Sequence, residues 1–459
     1  MKNITLTLYA FHLKQSLGGF PETLPNQGEQ LWTSLIQLGN VYPFPELQNL
    51  KSHLVSYTPD HNGNYIYHPE AEKQHSGGCL TPHNHAITLG QIQTTAGFKL
   101  TGDIEPYLLN DTYCLTLTLN PIDDWPFELG LADLKPFHAH CLIQDITASL
   151  GRVLVFYGEQ DEQLGEPTRL DAEQWAIALC EQTGLQPEFR GEFVWFNSRG
   201  FWFEASGLTL WMLLPQPHQF EGEQFSENSL FFRDLLWSFV KVKAVYAEAK
   251  ASHQQATLYY EKLEKQVAQF YTTLNQDAQN KLNTLAKMIQ MVPQDLLYYH
   301  CCLRDLRTHH TTLKSNIHNF QVSLDYLLTV NGNEFKNWSE LAQRTYPHYL
   351  QQLEFYLEYL EPGRELFSDL INTIRATTEI EQAKHEQELQ HQIQAVGTGI
   401  AAGAIVASSS GLIVAQDEDY PMFGGVAWHP LGVALLASVV CAIGSWGLML
   451  RYLRRKDEG

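Results

Sequence analysis

With 459 residues, the chain has room for two or three domains, and its 44% hydrophobic and 18% charged content is that of a folded protein. Thirty Lys and Arg against 51 Asp and Glu leave a formal charge of −21. This argues against a nucleic-acid polymer as partner, because phosphate contacts need clustered basic residues. Cations as ligands and the plain solubility of a large exposed domain both fit the acidic balance.

The first 20 residues make a poor signal peptide: the apolar run Ile4 to Phe11 alternates and Lys14 follows soon after. Alternation predicts a β-strand there. Further strand-like runs are Phe98–Leu100, Tyr113–Leu119, Leu150–Tyr157 and Leu208–Leu214, together with the pair Phe193–Trp195 and Phe201–Phe203 joined by the turn residues Asn197-Ser198-Arg199-Gly200. A helix over Ala172–Thr183 is started by Asp171. Residues 1–225 are therefore expected to form a mixed α+β domain in the cytoplasm.

Within it, His83-Asn84-His85 and His138-Ala139-His140-Cys141 are two HxH pairs. On a strand, residues i and i+2 share a face and could offer two imidazoles to a transition metal. No carboxylate or cysteine spacing completes either pair, and 19 His residues bring some together by chance. Seven cysteines, without a CxxC pair, do not read as a disulfide framework and suit a reducing compartment. Gly18-Gly19 and Gly77-Gly78 are not phosphate loops, and neither GxSxG nor HExxH occurs. No catalytic residue or cofactor is read from the sequence, and an enzyme is not expected.

From residue 226 the composition turns to Leu, Glu, Gln, Lys and Ala. Helices are expected over about 228–275, 277–291, 294–329 and 334–361, with breaks at Pro293 and Asn331-Gly332-Asn333 and a kink at Pro347. Residues 226–362 thus form a coiled-coil-like domain. After Pro362-Gly363, residues 363–392 read as a stalk helix whose apolar stripe (Phe367, Leu370, Ile371, Ile374) gives way to Glu379, Glu381, Gln382, Lys384, Glu386 and Glu388.

Two uncharged apolar stretches follow, 393–415 and 431–450, each near the roughly 20 residues that span about 30 Å of hydrocarbon. Between them, residues 416–430 contain Asp417, Glu418, Asp419, Tyr420 and Met422; beyond them, 451–459 begins with Arg451 and holds Arg454, Arg455 and Lys456. The positive-inside rule puts the basic tail in the cytoplasm and the acidic loop outside, with Trp428, Trp446 and Tyr452 near the ends of the second span. Both termini are then cytoplasmic, in a multi-pass protein of the cell (inner) membrane. In the first span Ala395, Gly399, Gly403, Ala407, Gly411 and Ala415 recur every fourth residue, and Gly399 and Gly403 form a GxxxG motif. This face suits either self-association around a polar pore or packing against the second span, and the motif alone does not choose.

This layout of a cytoplasmic α/β domain, helical region, long helix into the membrane, short outer loop, second span and basic tail resembles the CorA family of pentameric divalent-cation channels. The likeness is strongest over about 363–456. That family carries Gly-Met-Asn after its first span, commonly behind an aromatic residue. Here Tyr420-Pro421-Met422-Phe423 matches at Tyr420 and Met422 only, so no selectivity-filter role is carried over. The resemblance implies a homo-oligomeric ion channel or transporter gated by its cytoplasmic domain, with the lipid bilayer, copies of itself, cations and a soluble ligand as partners. Divergent CorA-like proteins also act as membrane effectors in prokaryotic defence, their soluble domain sensing a nucleotide signal. A membrane-anchored sensor of that kind and a tethered scaffold are the alternatives.

Overall fold

The computed structural model describes residues 1–14, 28–95, 97–122, 130–160, 165–196, 198–216, 222–331, 336–413, 420–422, 426–428 and 430–457. In chain order the elements are β1 (Lys2–Leu13), α1 (Gly28–Leu38), α2 (Pro45–Gln48), α3 (Leu50–His53), β2 (Tyr57–Pro59), β3 (Tyr65–Tyr67), β4 (Gly78–Cys79), β5 (Ile87–Gln93), β6 (Lys99–Leu109) and β7 (Thr112–Pro121). Then come α4 (Ala139–Gln144), β8 (Gly151–Glu159), α5 (Arg169–Cys180), β9 (Glu188–Trp195), β10 (Ser198–Ala205), β11 (Leu208–Leu213), α6 (Gly222–Leu274), α7 (Ala278–Asn331), α8 (Lys336–Glu340), α9 (Tyr346–Ile413), β12 (Tyr420–Met422), β13 (Val426–Trp428) and α10 (Pro430–Asp457). The chain divides into two compact units: Met1–Tyr260 with Tyr298–Pro362, and Glu261–Leu297 with Gly363–Gly459.

The first unit is built on a mixed sheet in the order β4-β6-β7-β1-β8-β11-β10-β9, with β5 also paired to β6. All its pairings are antiparallel except β8 with β11. Strand alternation sorts the side chains. Leu6, Leu8 and Ala10 of β1 join Leu115, Leu117 and Leu119 of β7 in one core beneath α1, α3, α4 and α5. Tyr9 points the other way and meets Phe232 of α6 edge-on at 5.8 Å. All six residues of β11 are buried, as expected of a strand covered on both faces. Thr168 and Asp171 close a capping box at the start of α5, so this helix begins at Arg169, three residues before the predicted start.

The Phe193–Trp195 and Phe201–Phe203 segments do form a hairpin, and their aromatic rings are buried. The turn is tighter than predicted. Ser198, Arg199 and Gly200 already belong to β10, with Ser198 opposite Trp195, and Phe196 takes a left-handed φ of 44°. Helix α6 docks on the sheet through Trp211 against Phe232 (5.2 Å), Arg233 over the Tyr107 ring (3.7 Å) and an ion pair from Lys241 to Asp111. Helix α8 covers the β9 edge: Asn337 Nδ2 donates to the Glu192 carbonyl at 3.2 Å, in space that a side chain at Gly191 would fill.

The long helices run past the prolines read as breaks, whereas α7 ends at Asn331, where the Asn331-Gly332-Asn333 break begins. Pro293 lies inside α7 and Pro362 inside α9. An internal proline removes a hydrogen bond and costs roughly 3 kcal/mol, so tertiary packing has to outweigh it. A heptad seam supplies that packing. In the first unit Phe232, Leu235, Phe239, Val242, Ala249 and Ala256 of α6 are buried at heptad spacing, as are Tyr299, Leu306, Leu313, Phe320 and Leu327 of α7 and Tyr346, Leu353 and Leu360 of α9. Phe231 stacks on Tyr326 and Tyr259 on Tyr298, which makes α6 and α7 antiparallel there. Tyr246 stacks on Tyr349 and His253 on Tyr356, which makes α6 and α9 parallel. Before α9 the chain makes a π-turn over Leu341–Thr345, which takes up the strain at Pro347.

In the second unit Leu263 and Phe270, Leu285 and Val292, and Phe367 and Ile374 are buried at heptad spacing. Asp295 accepts from Lys262 at 2.6 Å and from Gln266 at 2.7 Å. Glu381, one heptad beyond Ile374, is held by Lys281 at 3.2 Å. Residues 382–390 of α9 are then exposed all round.

Candidate functional site

Every fourth residue of the predicted first span is buried from Ala395 through Gly399 to Gly403, whereas Ala407 is exposed. What covers them is α10. A Cβ at Gly399 would stand 2.9 Å from the Ala442 carbonyl oxygen and 3.2 Å from the Trp446 Cβ; one at Gly403 would stand 3.1 Å from the Ala442 Cβ and 3.3 Å from the Ser438 carbonyl oxygen. Rising numbers on α9 meet falling numbers on α10, so the two segments are antiparallel. Their backbones approach because the glycines have no side chain. The small-residue face is thus occupied within the chain, by the second of the two partners it suits.

Outside this contact the surface is apolar. Among the described residues one helix is long and apolar enough to cross a membrane, Gly432–Leu453, with a mean hydropathy of 2.2, and its 18-residue apolar stretch holds no buried residue. Leu435, Val440, Ile443 and Leu448 are exposed on it, and Ile393, Ile400 and Ile405 are exposed on α9. An exposed apolar surface of this extent marks a protein or membrane contact. Three hydroxyls of the α9 segment are satisfied locally: Thr398, Ser408 and Ser409 donate to the carbonyls of Gln394, Ala404 and Ile405 at 2.7–2.8 Å. Gly411 falls in the last turn of α9. Asp417, Glu418 and Asp419 lie outside the described residues; Tyr420 and Met422 belong to β12, where Tyr420 pairs with Trp428 and Met422 with Val426.

The HxH pairs are not on strands. His83 and His85 flank Asn84, which has a φ of 56° and whose Oδ1 accepts from the Cys79 amide at 2.7 Å. His138 is left-handed at the start of α4, with its ring 5.9 Å from that of His140. Strand geometry therefore aligns neither pair. Among the described residues no group of three or more His, Cys, Asp and Glu is placed to hold a metal. His140 Nε2 lies 3.2 Å from Cys141 Sγ, but burial and the nearby Asp145 push that thiol up to about 11, so at neutral pH it is not a thiolate.

Sequence reasoning missed the carboxylate of Glu72, which is fully buried. It accepts from Tyr113 at 2.5 Å, Lys14 at 2.7 Å and Tyr67 at 3.2 Å, and Tyr67 in turn meets Tyr113 at 2.8 Å. With its charge paired and its lone pairs filled, it ties β1, β3 and β7 together. No local sequence pattern announces it, because the partners are 5 to 58 residues away.

No protein-family model matches the chain, and neither does any curated protein.

Proposed function

We propose that the chain is a membrane protein that crosses the bilayer twice, at 393–415 and 431–450, with both termini in the cytoplasm and the acidic loop outside. The observation that carries this reading is the uncovered apolar helix Gly432–Leu453. Its tight antiparallel contact with the Gly399 and Gly403 segment supports counting that segment as a crossing too. The four basic residues after 450 and the absence of Lys and Arg between 416 and 430 support the orientation.

The function we favour is a CorA-like homo-oligomeric channel or transporter, gated by the cytoplasmic domain. A single helix pair encloses no pore, so conduction requires several copies around an axis. Asp417, Glu418 and Asp419 repeated around that mouth would concentrate cations. One observation favours a second reading, a membrane-tethered sensor or scaffold. Thr398, Ser408 and Ser409 of the first crossing donate to their own helix, and the space at its Gly399 and Gly403 is filled by α10, so neither calls for a wet lining.

Purified protein in liposomes, tested with magnesium, potassium and sodium, separates the two. Cation flux that falls when Asp417, Glu418 and Asp419 are neutralised together, more at low than at high ionic strength, supports the channel. An inserted, oligomeric protein that is silent for every ion supports the tethered reading.

A further inference from the structure

On α7 the heptad position occupied by Tyr299, Leu306, Leu313 and Phe320 is apolar and buried. Its companion position, three residues further on each time, carries Cys302, His309, Asn316 and Ser323. The last three are buried, His309 to 2% exposure. Polar groups in such a seam weaken it, and their best-attested uses are to fix a register or to serve as a switch. Two atoms in this column lack a hydrogen-bond partner, Nδ1 of His309 and Oδ1 of Asn316.

The groups around His309 offer its ring little. Glu248 of α6 and Asp305 of α7 act on it through space, and Asp305 is engaged by Arg304 at 2.7 Å. From α9, Glu354 is taken by His310 at 3.3 Å, and Tyr356 lies flat on His253 of α6. Burial pushes the imidazole below the usual histidine range, against the opposing pull of Asp305 and Glu248. The packed seam therefore holds a neutral ring.

We propose that His309 is a proton switch in the helical bundle of the first unit: on protonation in mildly acid solution α6 and α7 part around it and the charged ring reaches solvent. The packed state favours the neutral ring. Its advantage is complete above the ordinary histidine value of about 6.5 and is lost progressively as pH falls below it. For one such group, lowering the pH from 7.5 to 5.5 raises the open fraction by at most about tenfold.

The test is hydrogen exchange on the full chain in detergent micelles, following peptides within 299–330 at both pH values after correction for intrinsic exchange rates. The wild type should open more at the lower pH, by up to about tenfold. His309→Leu should remove that rise, and His309→Asn, which keeps a polar but non-titrating group, should remove it too, so the idea does not hang on one variant folding. His310→Gln should behave as the wild type. A rise that persists in both His309 variants, or no rise in the wild type, overturns the switch.

Discussion

The His253 imidazole lies flat on the Tyr356 ring, with centroids 3.7 Å apart and planes 15° from parallel. Seven residues earlier on both helices, Tyr246 and Tyr349 stack at 3.8 Å and 7°. The repeat marks a parallel seam between α6 and α9, and such contacts contribute about 0.5–1.5 kcal/mol beyond area burial. Tyr356→Leu keeps apolar bulk but loses the stack. It should destabilise the first unit by about 1 kcal/mol in chemical denaturation followed by circular dichroism. An unchanged midpoint would mean that the stack contributes nothing to stability.

Leu353 and Leu360 of α9 are fully buried in that seam. Leu353→Ala should cost about 2–5 kcal/mol, since truncating a packed core leucine loses transfer energy and leaves a cavity. Phe355, two residues on, is 53% exposed, so Phe355→Ala should change stability little. Comparable losses from the two substitutions would contradict the assigned heptad phase.

Gly403 faces Ala442, whereas its neighbour Ala404 is exposed. A leucine at 403 has no room without separating the helices, an overpacking that typically costs about 1–3 kcal/mol. Gly403→Leu should therefore lower thermal stability in detergent, and Ala404→Leu should not. Because the partner is in the same chain, native mass spectrometry should give the same subunit number for Gly403→Leu as for the wild type. A change of subunit number would show that the glycine face also joins copies.

The orientation is open to chemical labelling. In a background with all seven native cysteines replaced, Asp417→Cys should react with a membrane-impermeant thiol reagent added to intact cells. Reaction only after permeabilisation would reverse the proposed topology.

The sequence announced most of the sheet, because period-two alternation is a local signal; Ile4–Leu8 and Tyr113–Leu119 lie within strands, and Leu150–Tyr157 does from Gly151 on. Composition also revealed the long helices, but Pro293 and Pro362 were read as stops by their intrinsic cost alone. The packing that overrides them was present as a heptad from Leu285 to Leu327, visible only to a count of sevens along the whole segment. The glycine row was equally plain, yet periodicity names a face and not its partner. Ala442 lies 39 residues beyond Gly403, so only the folded chain reveals that contact. The Glu72 carboxylate was beyond reach for the same reason.

The π-turn before α9 has a bearing on what the chain can tolerate. Phe320 touches both Trp338 (5.5 Å) and Tyr346 (4.9 Å), which are eight residues apart, whereas Tyr346, Leu353 and Leu360 follow one another at sevens. The wide turn at Leu341–Thr345 absorbs the extra residue, much as a leap day keeps a calendar in step with the seasons. Losing one residue inside this turn would restore a count of seven and leave Leu353 and Leu360 facing inward. The same loss between Tyr346 and Leu353 would swing every later side chain of the helix by about 100°. Natural length variation in this stretch of the chain should therefore be confined to 341–345.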